Sequence, residues 1–317
     1  MAVKVRTKRS IIVGAGASFP YGLPLAGSLL NDARKRILDL DDRRAQIGRS
    51  GFRPENDEIA RNNYMNLALL KSIEQPLSLE RVARSFREHL VQQNLDDFVR
   101  DHPSLTSTVS MLITIALISA MYREREGMWE FRSDLKKSGW ALESDWMRLF
   151  VGVVRPMASA ENKLSIISFN YDSLLERSMR MYWSGSEVGY AKVDDAVEFV
   201  YPHGRLSDLP ERIPSIDQYL TAQAVQLRLG DNHDQKARDR AKTIINDSDR
   251  IFSVGFSFSN DNARLLGFDD PEKFRRLHVQ NYKNEDIRLQ RLLDQQNVAR
   301  IDAGDMSALV KNGFFEQ

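Results

Sequence analysis

Four short stretches of this 317-residue chain combine residue types and spacings that could do chemistry. The first, Gly14-Ala15-Gly16-Ala17-Ser18, follows an apolar run. Glycines at a strand end let backbone N–H groups approach a pyrophosphate at the positive end of the next helix. A dehydrogenase fingerprint wants a third small residue three positions after Gly16, but Phe19 stands there, with Pro20 and a second turn Tyr21-Gly22-Leu23-Pro24 behind it. A tight turn without a ligand uses the same glycines. In the second, Ser168-Phe169-Asn170-Tyr171-Asp172, Asn170 and Asp172 lie just past a strand, where open α/β sheets bind ligands. Asp172 or Ser173 could equally cap the helix that follows. The third, Tyr201-Pro202-His203-Gly204, offers one of only five histidines as a general base, a role that competes with an ordinary structural one. The fourth runs from Val254 to Asn260, where Ser257 could bond a phosphate or ribose, or Ser259 or Asn260 could cap a helix.

Such groups act together only if strands present them at one edge. Arg9 to Val13 is apolar and β-branched and reads as the first, buried strand of a Rossmann sheet. Beyond Pro24, Leu25, Leu29, Leu30, Ala33 and Ile37 recur at helical spacing. From Lys163 onward, strands are expected at 164–169, 197–201, 250–254, 277–280 and 298–301, with helices between most of them, the first over 173–181. The expected fold is α/β: a Rossmann-like, doubly wound, mostly parallel sheet formed by residues 1–40 and 157–317. Residues 41–156 read as a large helical insertion, with helices over 77–99, 105–123 and 144–154, a stop at His102-Pro103, and a loop at Gly48, Gly51 and Pro54.

Composition narrows the classes. Hydrophobic residues at 42% and charged residues at 28% are ordinary for a globular protein. Forty-five basic against forty-four acidic residues give a net charge of +1, so no global field favours nucleic acid or anionic lipid. The apolar stretch Ile11–Val13 behind the basic start is too short for a signal-peptide core. Met111–Met121 is shorter than a membrane span and reads as a buried helix, so a cytoplasmic protein is expected. The chain has no cysteine, which excludes disulfides, thiolate catalysis and a four-cysteine zinc ribbon.

In this order, GAGAS at 14–18, SFNYD at 168–172, PHG at 202–204 and GFSFSND at 255–261 resemble the sirtuin superfamily, most closely its zinc-free bacterial NADase branch. Leu95-Asp96-Asp97-Phe98, Gln280-Asn281 and Gly304-Asp305-Met306 add weaker likeness. The resemblance covers roughly residues 9–30 and 163–310. It implies that Gly14, Ala15, Gly16, Ser18, Gly255, Ser257 and Asn281 line NAD, with Met306 near the adenine. It also implies that Asn170, Asp172 and His203 surround the nicotinamide ribose, with no metal.

The activity implied is that of an NAD glycohydrolase releasing nicotinamide and ADP-ribose, as an NAD-depleting effector of antiphage defence. An enzyme of that kind must be restrained, which implies homo-oligomer contacts through the insertion and a trans-acting regulator such as a HerA-type ATPase. A protein deacylase or ADP-ribosyltransferase would use the same NAD chemistry with another acceptor. A non-catalytic NAD sensor would use Asn170 and His203 for recognition alone. A dehydrogenase is a further rival because Asp39, Asp41 and Asp42 lie near the ribose-binding offset.

Overall fold

Alternation along the strands decides which side chains meet the layers on either face of the main sheet. The structure, a computed structural model, describes residues 7–50, 79–88, 95–125, 128–132, 145–159, 161–184, 192–207, 209–230, 234–281, 290, 293–296 and 298–316. Its strands are β1 (Arg9–Val13), β2 (Tyr122–Arg125), β3 (Met128–Phe131), β4 (Leu164–Ser168), β5 (Val197–Val200), β6 (Arg212–Ile213), β7 (Arg250–Val254), β8 (Leu277–Gln280) and β9 (Arg300–Asp302). The chain divides into two compact units, one of Met1–Tyr21, Asp134–His203 and Asp234–Gln317, the other of Gly22–Ser133 and Gly204–His233.

In the first unit six strands pair in parallel in the order β5-β4-β1-β7-β8-β9. Counted within this sheet the order is 3-2-1-4-5-6, that of a Rossmann fold, and the chain reverses direction of travel between β1 and β7. Neighbouring residues of one strand point to opposite faces. Ile12, Ile167, Ile251, Leu277 and Val279 pack with Ala241, Ile244 and Ile245 of helix Gln235–Asp247. On the other face Phe252 meets Phe314 and Phe315, and Phe315 meets Phe150 of helix Trp146–Val154. The sheet is therefore doubly wound, as expected.

The second unit is built mainly of helices. Helix Ala26–Ser50 buries Leu29, Ala33 and Ile37 and packs on helices Leu79–Glu88 and Thr106–Met121. Residues 103–121 are long and apolar enough to cross a membrane by composition, but 67% of that window is buried in the fold. The small antiparallel sheet β2-β3-β6 was not foreseen. Tyr122 and Arg123, expected to end a helix, begin its first strand. Gly48, expected in a loop, lies within helix Ala26–Ser50, while Gly51 and Pro54 fall outside the described residues. The expected helix over 77–99 is represented by Leu79–Glu88 and Leu95–Asp101, with 89–94 outside the described residues. The compact units group residues 22–40 and 209–230 with the helices over 79–121, and residues 145–156 with the main sheet. The physical reason is packing, since helix Ala26–Ser50 finds its apolar partners among the insertion's helices, and helix Trp146–Val154 finds its own on helices Leu174–Ser184 and Met306–Lys311.

The turning point of the sheet is closed by glycines. The Gly14 amide donates to Val254 O at 3.0 Å and the Gly16 amide to Gly255 O at 3.0 Å. A Cβ on Gly14 would lie 2.3 Å from Gly255 O, and one on Gly255, whose φ is +59°, would lie 2.2 Å from Ala17 N. Gly22 offers a control, since its φ is +79° but an added Cβ would meet nothing within 4 Å. Gly22→Ala should cost only the left-handed penalty of about 1–2 kcal/mol. Gly255→Ala must also force two loops apart and should cost at least ~3 kcal/mol. Equal losses in denaturant titrations of the two variants would show that the loops yield freely.

Candidate functional site

Each residue nominated from the sequence follows a strand of the one parallel sheet. Gly14, Ala15, Gly16 and Ser18 come after β1, and Asn170 and Asp172 after β4. His203 follows β5, Gly255 and Ser257 follow β7, Asn281 follows β8, and Met306 follows β9. Parallel pairing puts all six loops at the carboxyl edge, where ligands bind at a reversal of strand order.

The glycine turn does more than expose amides. Gly14 and Gly16 spend theirs on the β7 loop, Ala17 donates to Gly14 O and Ser18 to Ala15 O, and the Ala15 amide has no protein acceptor among the described residues. The turn continues as short 3-10 segments at Ala15–Ala17 and Phe19–Tyr21, and the long helix begins at Ala26. A second set of contacts pins it. Trp146 Nε1 donates to Ala17 O at 3.0 Å. Tyr21 and Tyr182 donate their phenols to Asp145 at 2.6 and 2.7 Å. Burial, reinforced by Asp145, pushes both phenols above the usual tyrosine range, so both remain proton donors. Asp145 also caps helix Trp146–Val154 through the Arg148 amide.

Ser18 is the hub of the polar centre. Its hydroxyl donates to Asp172 Oδ1 at 3.2 Å and accepts from Asn170 Nδ2 at 2.9 Å. The direction follows from chemistry, because a hydroxyl that gives its proton to a carboxylate can only accept from the amide. Asn170 is thereby oriented, and its Oδ1 is buried with no hydrogen-bond partner among the described residues. Asp172 Oδ1 also accepts the Leu174 amide at 3.0 Å at the start of helix Leu174–Ser184, so it tethers the helix and orients the site together.

His203 is buried, its ring centroid 5.3 Å from that of Phe169 and 6.3 Å from that of Tyr171, the residues flanking Asn170. Its Nε2 lies 2.9 Å from Asn262 Oδ1. The neighbouring β7 loop is held by Phe256 against Phe169 and contains Phe258 at φ +52°, a left-handed conformation rare for a bulky residue.

The outer positions are less involved. Ser257 is exposed, and Met306 is buried at the start of helix Met306–Lys311, behind its cap Asp305. Asn281 is held inside the protein, its amide on Asp302 O and its Nδ2 on Gln290 Oε1. Gln280 and Asn262 were not nominated. Gln280 accepts the Gly255 amide and donates to Gly304 O, tying the β7 and β9 loops together. Its position at the end of a strand was the available signal. Asn262 and His203 lie 59 residues apart, so only the fold joins them.

Several other acidic candidates have structural partners. Asp41 and Asp42 lie within helix Ala26–Ser50 and pair with Arg87, whereas the ribose-binding carboxylate of a dehydrogenase follows a strand, so they lend that reading no support. Asp96 accepts the Gly230 amide, and Phe98 stacks with His102. Among the described residues no three His, Asp or Glu side chains gather as metal ligands would.

Some solved structures share low similarity with this chain. Sir2 in complex with the inhibitor EX-527, 2'-O-acetyl-ADP-ribose and a deacetylated p53 peptide is 12% identical, with 98% of this chain and 93% of that one covered and a TM-score of 0.40. Sir2 with a p53 peptide and NAD+ is 13% identical, with 98% and 92% covered and a TM-score of 0.41. Sir2Tm bound to a propionylated peptide is 12% identical, with the same coverage and TM-score. No family model and no curated protein matches the sequence. At these identities and TM-scores, activity and residue roles rest on the site's own chemistry.

Burial pushes the Asp172 carboxyl up to about 6 from its ordinary 3.8, against the Leu174 amide and Ser18 hydroxyl, which hold it down. The folded protein therefore binds this proton more tightly than the unfolded chain, and the stability it contributes is lost as pH rises from about 3.8 through about 6. Asp172→Asn escapes that cost. Its stability relative to wild type should climb across this window by on the order of 3 kcal/mol and then level off. A difference independent of pH in urea titrations would contradict a buried carboxylate.

Proposed function

We propose that this chain binds NAD across the β1/β7 crevice and hydrolyses its nicotinamide-ribose bond, giving nicotinamide and ADP-ribose. The observation that carries the reading is the buried Asn170 Oδ1, oriented by Ser18 and Asp172 and left without a protein partner among the described residues. A buried acceptor of this kind is costly unless a ligand hydroxyl or a water satisfies it. It stands at the ligand edge of a Rossmann sheet, beside two aromatic residues that hold an imidazole.

Cleavage breaks the bond from ribose C1′ to the nicotinamide nitrogen. The electron pair leaves with the ring, which departs neutral, while positive character builds on the ribose. Asn170 Oδ1 is an acceptor suited to orienting a ribose hydroxyl or the attacking water. As water oxygen bonds to C1′, its proton passes toward His203 through a ribose hydroxyl. Asp172, through Ser18, keeps Asn170 in register at the nicotinamide end. The Ala15 amide and the Gly255 turn are suited to the pyrophosphate side.

Water is favoured over an acyl-peptide acceptor by one feature of the chain. The family's deacylases build a cysteine zinc ribbon, and this sequence has no cysteine. Between His203 and Gly255 it instead forms β6 and helices Ile216–Ala224 and Gln235–Asp247. The resemblance extends the proposal to a cytoplasmic, self-associating effector of antiphage defence, controlled by a partner such as a HerA-type ATPase.

Nicotinamide release, resolved chromatographically with and without an acetylated peptide and proteins encoded beside this one, tests the reading. Wild type should release nicotinamide without needing the peptide. Asn170→Ala and His203→Ala should each lose at least ~100-fold in turnover while unfolding cooperatively like wild type. Full turnover in both variants would remove these residues from the site, and peptide-dependent release would favour acyl transfer.

A further inference from the structure

Three groups near the site stand outside the proposed chemistry: the Asp145 tyrosine cluster, the Gln280 strap and Asn262. The first two hold backbone. Of the three, Asn262 alone touches a side chain given a chemical role, and it does so at a ring atom whose protonation decides what the ring can do.

A neutral imidazole carries one N–H, and the partner of one nitrogen fixes the role of the other. Asn262 Oδ1 faces His203 Nε2 at 2.9 Å. A carbonyl oxygen can only accept, so this contact requires the proton on Nε2 and leaves the lone pair on Nδ1. The ring is steadied as well, by Phe169 at 5.3 Å and by Tyr171 edge-on at 6.3 Å. Asn262 has a rigid base of its own. It lies in helix Asn260–Leu265, directly after the loop in which Phe256 packs on Phe169 and Phe258 on Phe268, and its carbonyl accepts the Leu266 amide.

We propose that Asn262 is the positioning residue for His203: its side-chain oxygen accepts the hydrogen bond from Nε2–H, selects that tautomer and makes Nδ1 the proton-accepting atom. Its relevance to catalysis rests on the NAD-cleavage reading, but the tautomer itself does not. In that reading Asn262 touches neither NAD nor water and acts through the ring, as partners of functional histidines do elsewhere.

The test uses the full-length protein labelled with nitrogen-15, with His203 assigned by comparison with His203→Gln. Long-range proton-nitrogen spectra at about pH 8.5, where an ordinary imidazole is neutral, distinguish the two tautomers. Wild type should show a protonated Nε2 and a bare Nδ1. Asn262→Asp retains an oxygen that can only accept and should keep that pattern. Asn262→Leu, similar in size but without an acceptor, should lose it. In nicotinamide release, Asn262→Leu should lower kcat by ~10–100-fold with KM little changed, and Asn262→Asp should restore most of it. A wild-type ring protonated on Nδ1, or an Asn262→Leu ring unchanged from wild type, would overturn the proposal. So would an Asn262→Asp variant as impaired in kcat as Asn262→Leu. If wild type does not cleave NAD, the spectra still decide the tautomer, so failure of the activity and failure of this inference are separable.

Discussion

The account depends on two backbone loops touching where only glycine fits. Gly14 and Gly16 meet Gly255 so closely that a Cβ on any of the three would lie under 3.0 Å from the opposite backbone. The contact joins the loop after β1 to the loop after β7 at the point where the sheet's strand order reverses. It fixes both loops relative to the strands and sets where Ser18 lies. From Ser18 the order passes to Asn170 and Asp172, and from the β7 loop it passes to Phe256, Phe169 and His203. The polar centre is thus held by backbone geometry rather than by flexible charged side chains.

This arrangement changes the meaning of the glycine motif. A Rossmann turn is ordinarily read as a source of free amides for phosphate. Here Gly14 and Gly16 use their amides on Val254 O and Gly255 O, and the Ala15 amide has no protein acceptor among the described residues. Fewer amides of the turn are left for a ligand. The serine that ends the motif gains importance, because it decides which way Asn170 turns. Asp172 completes the logic at a cost: burial raises its carboxyl to about 6, so the charge that orients Ser18 is held against desolvation.

Much of this was legible in the sequence because strands buried on both faces leave a strong mark. Arg9–Val13, Arg250–Val254 and Leu277–Gln280 are short apolar runs ending in glycine or amide residues, and they emerged with the expected bounds. The hairpin of β2 and β3 was not legible. Arg123, Glu124 and Arg125 continue an apolar helix with charged residues, which helical periodicity absorbs readily. Site residues that follow strands could be nominated one by one. Their hydrogen bonds could not, since Ser18 and Asn170 are 152 positions apart and His203 and Asn262 are 59 apart. Pairing across loops is set by strand order, and no local pattern encodes it.

The central claim is that the crevice takes NAD in one direction, pyrophosphate toward the glycine turn and nicotinamide toward Asn170 and His203. A crystal structure of the Asn170→Ala variant grown with NAD tests this most directly. The account predicts the pyrophosphate beside Ala15 and Gly255 and the nicotinamide ribose within hydrogen-bonding distance of His203. NAD bound elsewhere, or bound with its adenine at His203, would contradict it.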